Sequence, residues 1–298
     1  MGRIFRAASL LLLPVAAWAA QVQPEFGLDT AKIEALTGLK GTAFGEERVF
    51  KVSAPRSDIA VTVDGLKMKP PMGLTSWAAF KKGPGGAIVM GDLTMLEDEV
   101  NPVMSACLDG GLEVTALHNH FFYDAPKVMF MHIGGHGSVE QLAGAVRKAL
   151  DKIKEVRAAA PSGPRRAAAF APSGKLDVAA IEAIVGHKGQ SAGDVFKITV
   201  GRKASHHGVE VTNNLGMNTW MAFAGSDADA RVDGDFAMRE GELQGVLKAL
   251  RSSGIEVVAI HNHMTGEEPR TVFLHFWGRG ATRQLAEGLK KALALTKD

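Results

Sequence analysis

Residues 111–137 read GLEVTALHNHFFYDAPKVMFMHIGGHG and residues 254–280 read GIEVVAIHNHMTGEEPRTVFLHFWGRG, with 12 identities in 27 positions at a constant offset of 143. Self-similarity at a fixed spacing means that one structural unit has been used more than once. The same offset aligns Gly73 with Gly216, Trp77 with Trp220, Phe80 with Phe223, and Gly91-Asp92 with Gly234-Asp235. Nearer the start of each half the offset drifts: Leu28-Asp29 and Gly38 match Leu176-Asp177 and Gly186, and Val49-Phe50-Lys51 matches Val195-Phe196-Lys197. The chain therefore reads as a tandem duplication with small insertions. Between the copies, residues 157–175 have the Ala/Pro/Gly/Ser composition of a linker, with Pro161, Pro164 and Pro172 stopping helices. The expected division is a leader over 1–19, a first repeat domain over 20–156, a linker over 157–175 and a second repeat domain over 176–298.

Periodicity and punctuation predict the elements of one copy. A short helix over 29–36 opens it, with Asp29 as cap. Strands follow near 48–53, 59–63, 76–80 and 87–92, where β-branched or alternating residues are bounded by Gly and Pro. Thr94 and Glu97 have capping-box spacing, which predicts a helix from there to about Leu108, ended by Gly110-Gly111. Strands over 112–120 and 128–133 flank a loop holding Pro126, and an amphipathic helix over 138–153 closes the copy. The expected fold class is α+β, with antiparallel sheet and helices in each copy and the copies packed as pseudo-two-fold partners.

The chain has 298 residues, 34 Lys+Arg against 32 Asp+Glu, 46% hydrophobic residues and one cysteine. Near-zero net charge argues against nucleic acid as a partner, because phosphate neutralisation needs a Lys/Arg excess on some face. The lone Cys107 excludes an internal disulfide and any Cys-rich zinc or iron–sulfur site. Arg3 and Arg6 precede an apolar run over 7–15, and Ala17-Trp18-Ala19 supplies the small residues of a cleavage site, so a secretory signal peptide is expected. The run is too short to span a bilayer, which takes about 20 apolar residues, and no later segment approaches that length. The expected location is periplasmic or secreted, with no integral membrane segment.

The chemistry concentrates at His118-Asn119-His120 and His261-Asn262-His263. In a strand, side chains two apart share a face, a spacing that suits two ligands on one metal ion. His132 follows His120 by twelve residues, and a turn near Pro126 would place it across from His120; His275 stands in the same relation to His261 and His263. Three imidazoles in each copy then suit a divalent transition metal, zinc or copper foremost. Packing inherited from a common ancestor is the competing explanation of such repetition. The letters H-N-H are not read as the nuclease motif, which needs separated residues and a basic surface. Asp92 and Asp235, each after a Gly, are expected in turns or caps, with a fourth-ligand or general-base role as the alternative. Glu113 and Glu256 have the wrong alternation to share a face with the histidines. Trp77 and Trp220 are expected in the core, with lining of a ligand cleft as the alternative, and Asp124, Glu267 and Glu268 in solvated loops, with a carboxylate reaching the metal as the alternative. His136 is matched by Arg279, and no repeated Met-x-x-Met copper box occurs.

The doubled His-Asn-His, Glu267-Glu268-Pro269, the run Phe273-Leu274-His275-Phe276-Trp277 and Asn101-Pro102-Val103-Met104 resemble the bacterial LppY/LpqO family, over almost all of the chain past the leader. That resemblance implies export and a duplicated domain and contributes no reaction. The second copy fits the family pattern better, since the first has Phe121 to Ala125 in place of the acidic loop and Gly134 in place of the Trp. No Cys stands at the end of the apolar run, so a lipid anchor is not expected. Three functions stay open: a metal-handling or metal-sensing protein, a metal-dependent hydrolase with Asp235 or Glu268 as base, and a module binding a small-molecule or protein ligand without metal. No nucleophile elbow favours a serine or cysteine enzyme. Mass spectrometry of the exported protein is expected to place its first residue at Ala20; an intact Met1 would overturn the compartment.

Overall fold

The computed structural model describes residues 27–164, 170 and 174–297, so the predicted leader lies outside the described residues. The first half comprises α1 (Thr30–Thr37), β1 (Gly41–Phe44), β2 (Val49–Pro55), β3 (Thr62–Val63), β4 (Leu66–Lys67), β5 (Thr75–Gly83), β6 (Gly86–Leu96), α2 (Glu97–Asp109), β7 (Glu113–His118), β8 (Asp124–Ala125), β9 (Val128–Gly137) and α3 (Val139–Ala159). The second comprises α4 (Val178–Val185), β10 (Gly189–Ala192), β11 (Val195–Gly201), β12 (Ala204–His206), β13 (Val209–Val211), β14 (Asn218–Gly225), β15 (Ala230–Arg239), α5 (Leu243–Ser252), β16 (Glu256–His261), β17 (Thr271–Gly280) and α6 (Thr282–Leu293). The α+β tandem duplication read from the sequence is the fold of the protein. α3 runs three residues into the 157–175 segment, and Arg157 at its end is buried.

Both halves share one twelve-stranded antiparallel sheet, ordered β1-β2-β5-β6-β9-β7-β16-β17-β15-β14-β11-β10. Read from either end, that order meets equivalent strands, so a pseudo-two-fold axis passes between β7 and β16. One apolar cluster runs from Ile33 to Ala292 and spans both halves. It forms because alternate strand residues, such as Val52, Phe80, Val89 and Ile133, face the apolar stripes of the helices. Cys107 lies inside it, and burial pushes its thiol pKa up to about 12. Among the described residues no helix is long and apolar enough to cross a membrane.

The opposite face of the sheet carries two smaller flaps. In the first half β4, β3 and β8 cover Val61, Leu74, Leu96, Val128 and Phe130. In the second, the β12–β13 hairpin covers Ala204, Val211, Met217, Ala237 and Phe273. Asp29 and Asp177 cap their helices, each accepting from the backbone N–H three residues on. The capping box differs from the Thr94–Glu97 expectation. β6 continues to Leu96, and Glu99 accepts from the Leu96 N–H at 2.8 Å while Arg56 and Arg157 hold its buried carboxylate. Glu242 repeats this with the Arg239 N–H and Arg202.

The seam between the halves has a short ladder, pairing Leu117 with Ile260. Backbone groups just outside it find side-chain amides instead. Asn101 of α2 accepts from the Val257 N–H at 2.8 Å and donates to its carbonyl at 3.2 Å. Gln244 of α5, 143 residues later, does the same for Val114 at 3.0 and 2.8 Å. Removing one partner of a buried hydrogen bond leaves the other's desolvation uncompensated, at about 1–3 kcal/mol. Asn101→Ala and Gln244→Ala are each expected to lower stability by that amount in urea denaturation, and an unmoved midpoint in both would show that the amides do not hold the seam.

Candidate metal centre

The predicted histidines gather on the sheet face away from the main helices. Across neighbouring strands, Trp220 opposes Asp235, Asp235 opposes His275, and His275 opposes Ala259. In the first half Trp77, Asp92, His132 and Ala116 form the same row. Directly opposed residues of antiparallel strands share a face. His132 therefore sits opposite Ala116 and diagonal to His118, not across from His120 as the hairpin spacing suggested. His120 and His263 lie just beyond the ends of β7 and β16, and their rings stack on Phe130 and Phe273 at centroid distances of 3.4 and 3.5 Å.

A bulge in each central strand makes this possible. The β7–β9 register shifts between Val114 and Ala116, and the β16–β17 register between Val257 and Ala259. One inserted residue moves everything after it to the other face. Without it His118 and His261 would point into the apolar core; with it they join His132 and His275. It also corrects the reading of Glu113 and Glu256: they lie opposite Gly134 and Trp277, on the histidine face. Glu256 there pairs with Arg279 at 3.0 Å.

Asp92 and Asp235 are the larger correction. They lie inside strands β6 and β15, 8% and 2% exposed, and serve no turn or cap. The glycine before each answers to close packing: a Cβ on Gly234 would stand 2.2 Å from the Phe276 ring and 2.3 Å from the Trp220 carbonyl oxygen. Trp77 and Trp220 are half-buried on this open face, beneath the ammonium groups of Lys51 and Lys197 at 4.2 Å, and not in the core. Glu267 is buried, with Oε1 accepting from the Thr271 N–H, so its loop carboxylate is structural and not solvated.

Asp235, His261 and His263 bring one ligand atom each to within 4.8 Å of one another, and among the described residues no other such group forms. His263 Nδ1 lies 3.1 Å from the Gly216 carbonyl oxygen, so that nitrogen donates. Gly216 offers this carbonyl from a left-handed turn at φ 86, a conformation that accounts for the repeated Gly73 and Gly216. The lone pair of His263 Nε2 then faces Asp235 Oδ2 at 3.1 Å, with His261 Nε2 at 3.9 Å from the same oxygen. Two lone pairs so opposed need a cation between them, a proton or a metal ion. Ligand atoms on a tetrahedral zinc with bonds of about 2.0–2.1 Å lie about 3.3 Å apart. Asp235 Oδ1 and His261 Nδ1 are buried without a hydrogen-bond partner. Burial, then His275 and His263, push the His261 pKa down to about 4, which keeps its imidazole neutral at neutral pH. Burial raises the Asp235 pKa, with His275 and His263 pulling it back.

His275 stacks on His261 at 4.6 Å, with Nδ1 3.3 Å from the Gly234 carbonyl oxygen, and stays outside the closest group. In the first half His118 lies 5.2 Å from His120 and 5.1 Å from His132 between ring centroids, and Asp92 Oδ1 is buried and unpartnered. Burial lowers the His120 pKa, against the pull of Asp92. The six expected histidines thus gather in two trios. The residue that local reasoning misplaced is the aspartate, whose signal was its repetition at the centre of two strands.

The family profile described as Domain of Unknown Function (DUF1259) matches residues 31–152 and again 179–295. The chain belongs to this family. The DUF1259 unit thus coincides with the repeat, once per half of the sheet. No curated protein matches the chain. Among solved structures, a trimeric bacterial microcompartment shell protein PduB aligns over 86% of this chain and 89% of its own, at 12% identity and a TM-score of 0.20, too low to relate the folds.

Overpacking a close backbone approach costs about 1–3 kcal/mol. Gly234→Ala is expected to lose at least that in thermal or urea unfolding, whereas Gly45→Ala, with nothing within 4 Å of its Cβ position, is expected to change little; equal effects would refute the packing account.

Proposed function

We propose that this DUF1259 protein binds a divalent transition metal, zinc or copper, through Asp235, His261 and His263, with His275 completing the set, and that it handles or senses that metal. The observation that carries the reading is the opposition of His263 Nε2 and Asp235 Oδ2 at 3.1 Å beside a carboxylate oxygen of Asp235 and an imidazole nitrogen of His261 that are buried without hydrogen-bond partners, at the face of a sheet. The carbonyls of Gly216 and Gly234 orient His263 and His275, as outer partners of metal-bound imidazoles do. His118, His120 and His132, with Asp92, form the second or vestigial site. The leader and the LppY/LpqO resemblance support a periplasmic or secreted setting, where such a protein meets metal outside the cytoplasm.

A metal-dependent hydrolase is the second reading, favoured by an open cleft beside His263. In it Asp235 would be a ligand and no longer free to act as base, which leaves Glu268 on the neighbouring loop as the base proposed from the sequence.

Elemental analysis of untagged protein tests the assignment. His261→Ala/His263→Ala is expected to lose about one metal ion per chain and Asp235→Asn to weaken its retention, whereas His206→Ala/His207→Ala is expected to keep it. Equal loss from both histidine pairs would sink the site, and absence of metal after exposure to zinc, copper, iron and manganese would favour a binding module without metal.

A further inference from the structure

A cleft of about 640 Å³ opens on the histidine face of the second half, with His263 and Gly216 in its wall. Its floor continues the row of opposed residues outward, from Asp235 to Trp220 to Thr199. Neighbouring strands are about 4.8 Å apart, so Thr199 and Asp235 are separated by about 10 Å, the length of a small molecule. Ligand held over Trp220 would touch the proposed metal ligands at one end and β11 at the other.

The charge of the cleft selects for anions. Lys188 is neutralised by Glu182 at 2.7 Å, but Lys197 rests over the Trp220 ring at 4.2 Å with no carboxylate partner among the described residues. A divalent ion on one carboxylate would add a further net positive charge beside it. Asn213, Asn214 and Asn218 line the same cleft. At the offset of 143 their counterparts are Pro70, Pro71 and Thr75, although Lys51 over Trp77 repeats the lysine geometry. The second half alone therefore carries the amides: Asn218 Nδ2 donates to the Asn213 carbonyl oxygen at 2.8 Å and Asn213 Nδ2 to Asn214 Oδ1 at 3.3 Å, and the remaining N–H and Oδ1 of Asn213 and Asn218 match hydroxyl groups that both donate and accept.

We propose, resting on the metal reading above, that this cleft takes a small hydroxylated carboxylate of the sugar-acid class, its carboxylate set between the metal and Lys197 Nζ and its hydroxyls on Asn213 and Asn218. The test is calorimetric titration of zinc-loaded protein with D-gluconate, against D-glucose and inorganic phosphate, with zinc content measured before and after. Gluconate is expected to bind with zinc retained, glucose not to bind, and phosphate to bind more weakly. Lys197→Met and Asn213→Ala are each expected to weaken gluconate at least tenfold, and Lys51→Met to leave it unchanged. Zinc bound without gluconate, glucose as good as gluconate, phosphate as tight as gluconate, or indifference to both cleft substitutions would overturn the cleft proposal while leaving the metal site standing. Failure to take up zinc or any other metal would overturn both.

Discussion

The side-chain amides of Asn101 and Gln244 reach across the middle of the sheet, each meeting the N–H and the C=O of one residue at the edge of a bulge in the opposite half. Two strands that paired only through Leu117 and Ile260 would leave polar backbone exposed inside the seam. The amides close that gap and let two six-stranded half-sheets act as one. The bulges beside these contacts also turn His118 and His261 away from the core. Joining the halves and aiming the histidines are thus consequences of the same local irregularity.

The site is built by rigid surroundings more than by the histidines themselves. Phe130 and Phe273, held beneath the flaps, give His120 and His263 flat surfaces to stack on. Gly234 lets Phe276 and the Trp220 backbone close in, which fixes the strand carrying Asp235. The buried Asp235 carboxylate then faces the partly exposed His263 imidazole with few alternatives, because a packed strand has little freedom to turn a carboxylate toward solvent. The two halves share this frame and differ around it. Only the second brings three ligand atoms within 4.8 Å among the described residues, and only it lines its approach with Asn213, Asn214 and Asn218.

Much of this was legible in the residues alone. Repetition at an offset of 143 announced the duplication, Asp29 announced its cap, and His-x-His with a third histidine announced two trios. These signals are local: a cap reaches three residues, and side chains two apart near a strand end share a side. Asp92 and Asp235 read first as turn or cap residues, with a ligand or base role only as the alternative, because a Gly-Asp pair ordinarily marks a turn, and only long-range contact shows that the glycine before Asp235 clears space for a neighbouring ring. Glu113 and Glu256 were put on the wrong face because alternation counted along a strand does not see an inserted residue; a bulge exists only in the pairing of two strands. The partition follows from reach. Sequence determined the copies, the elements and the histidines of the candidate site, whereas register between distant strands decided which face they share, how the halves fuse into one sheet and which carboxylate meets the imidazoles.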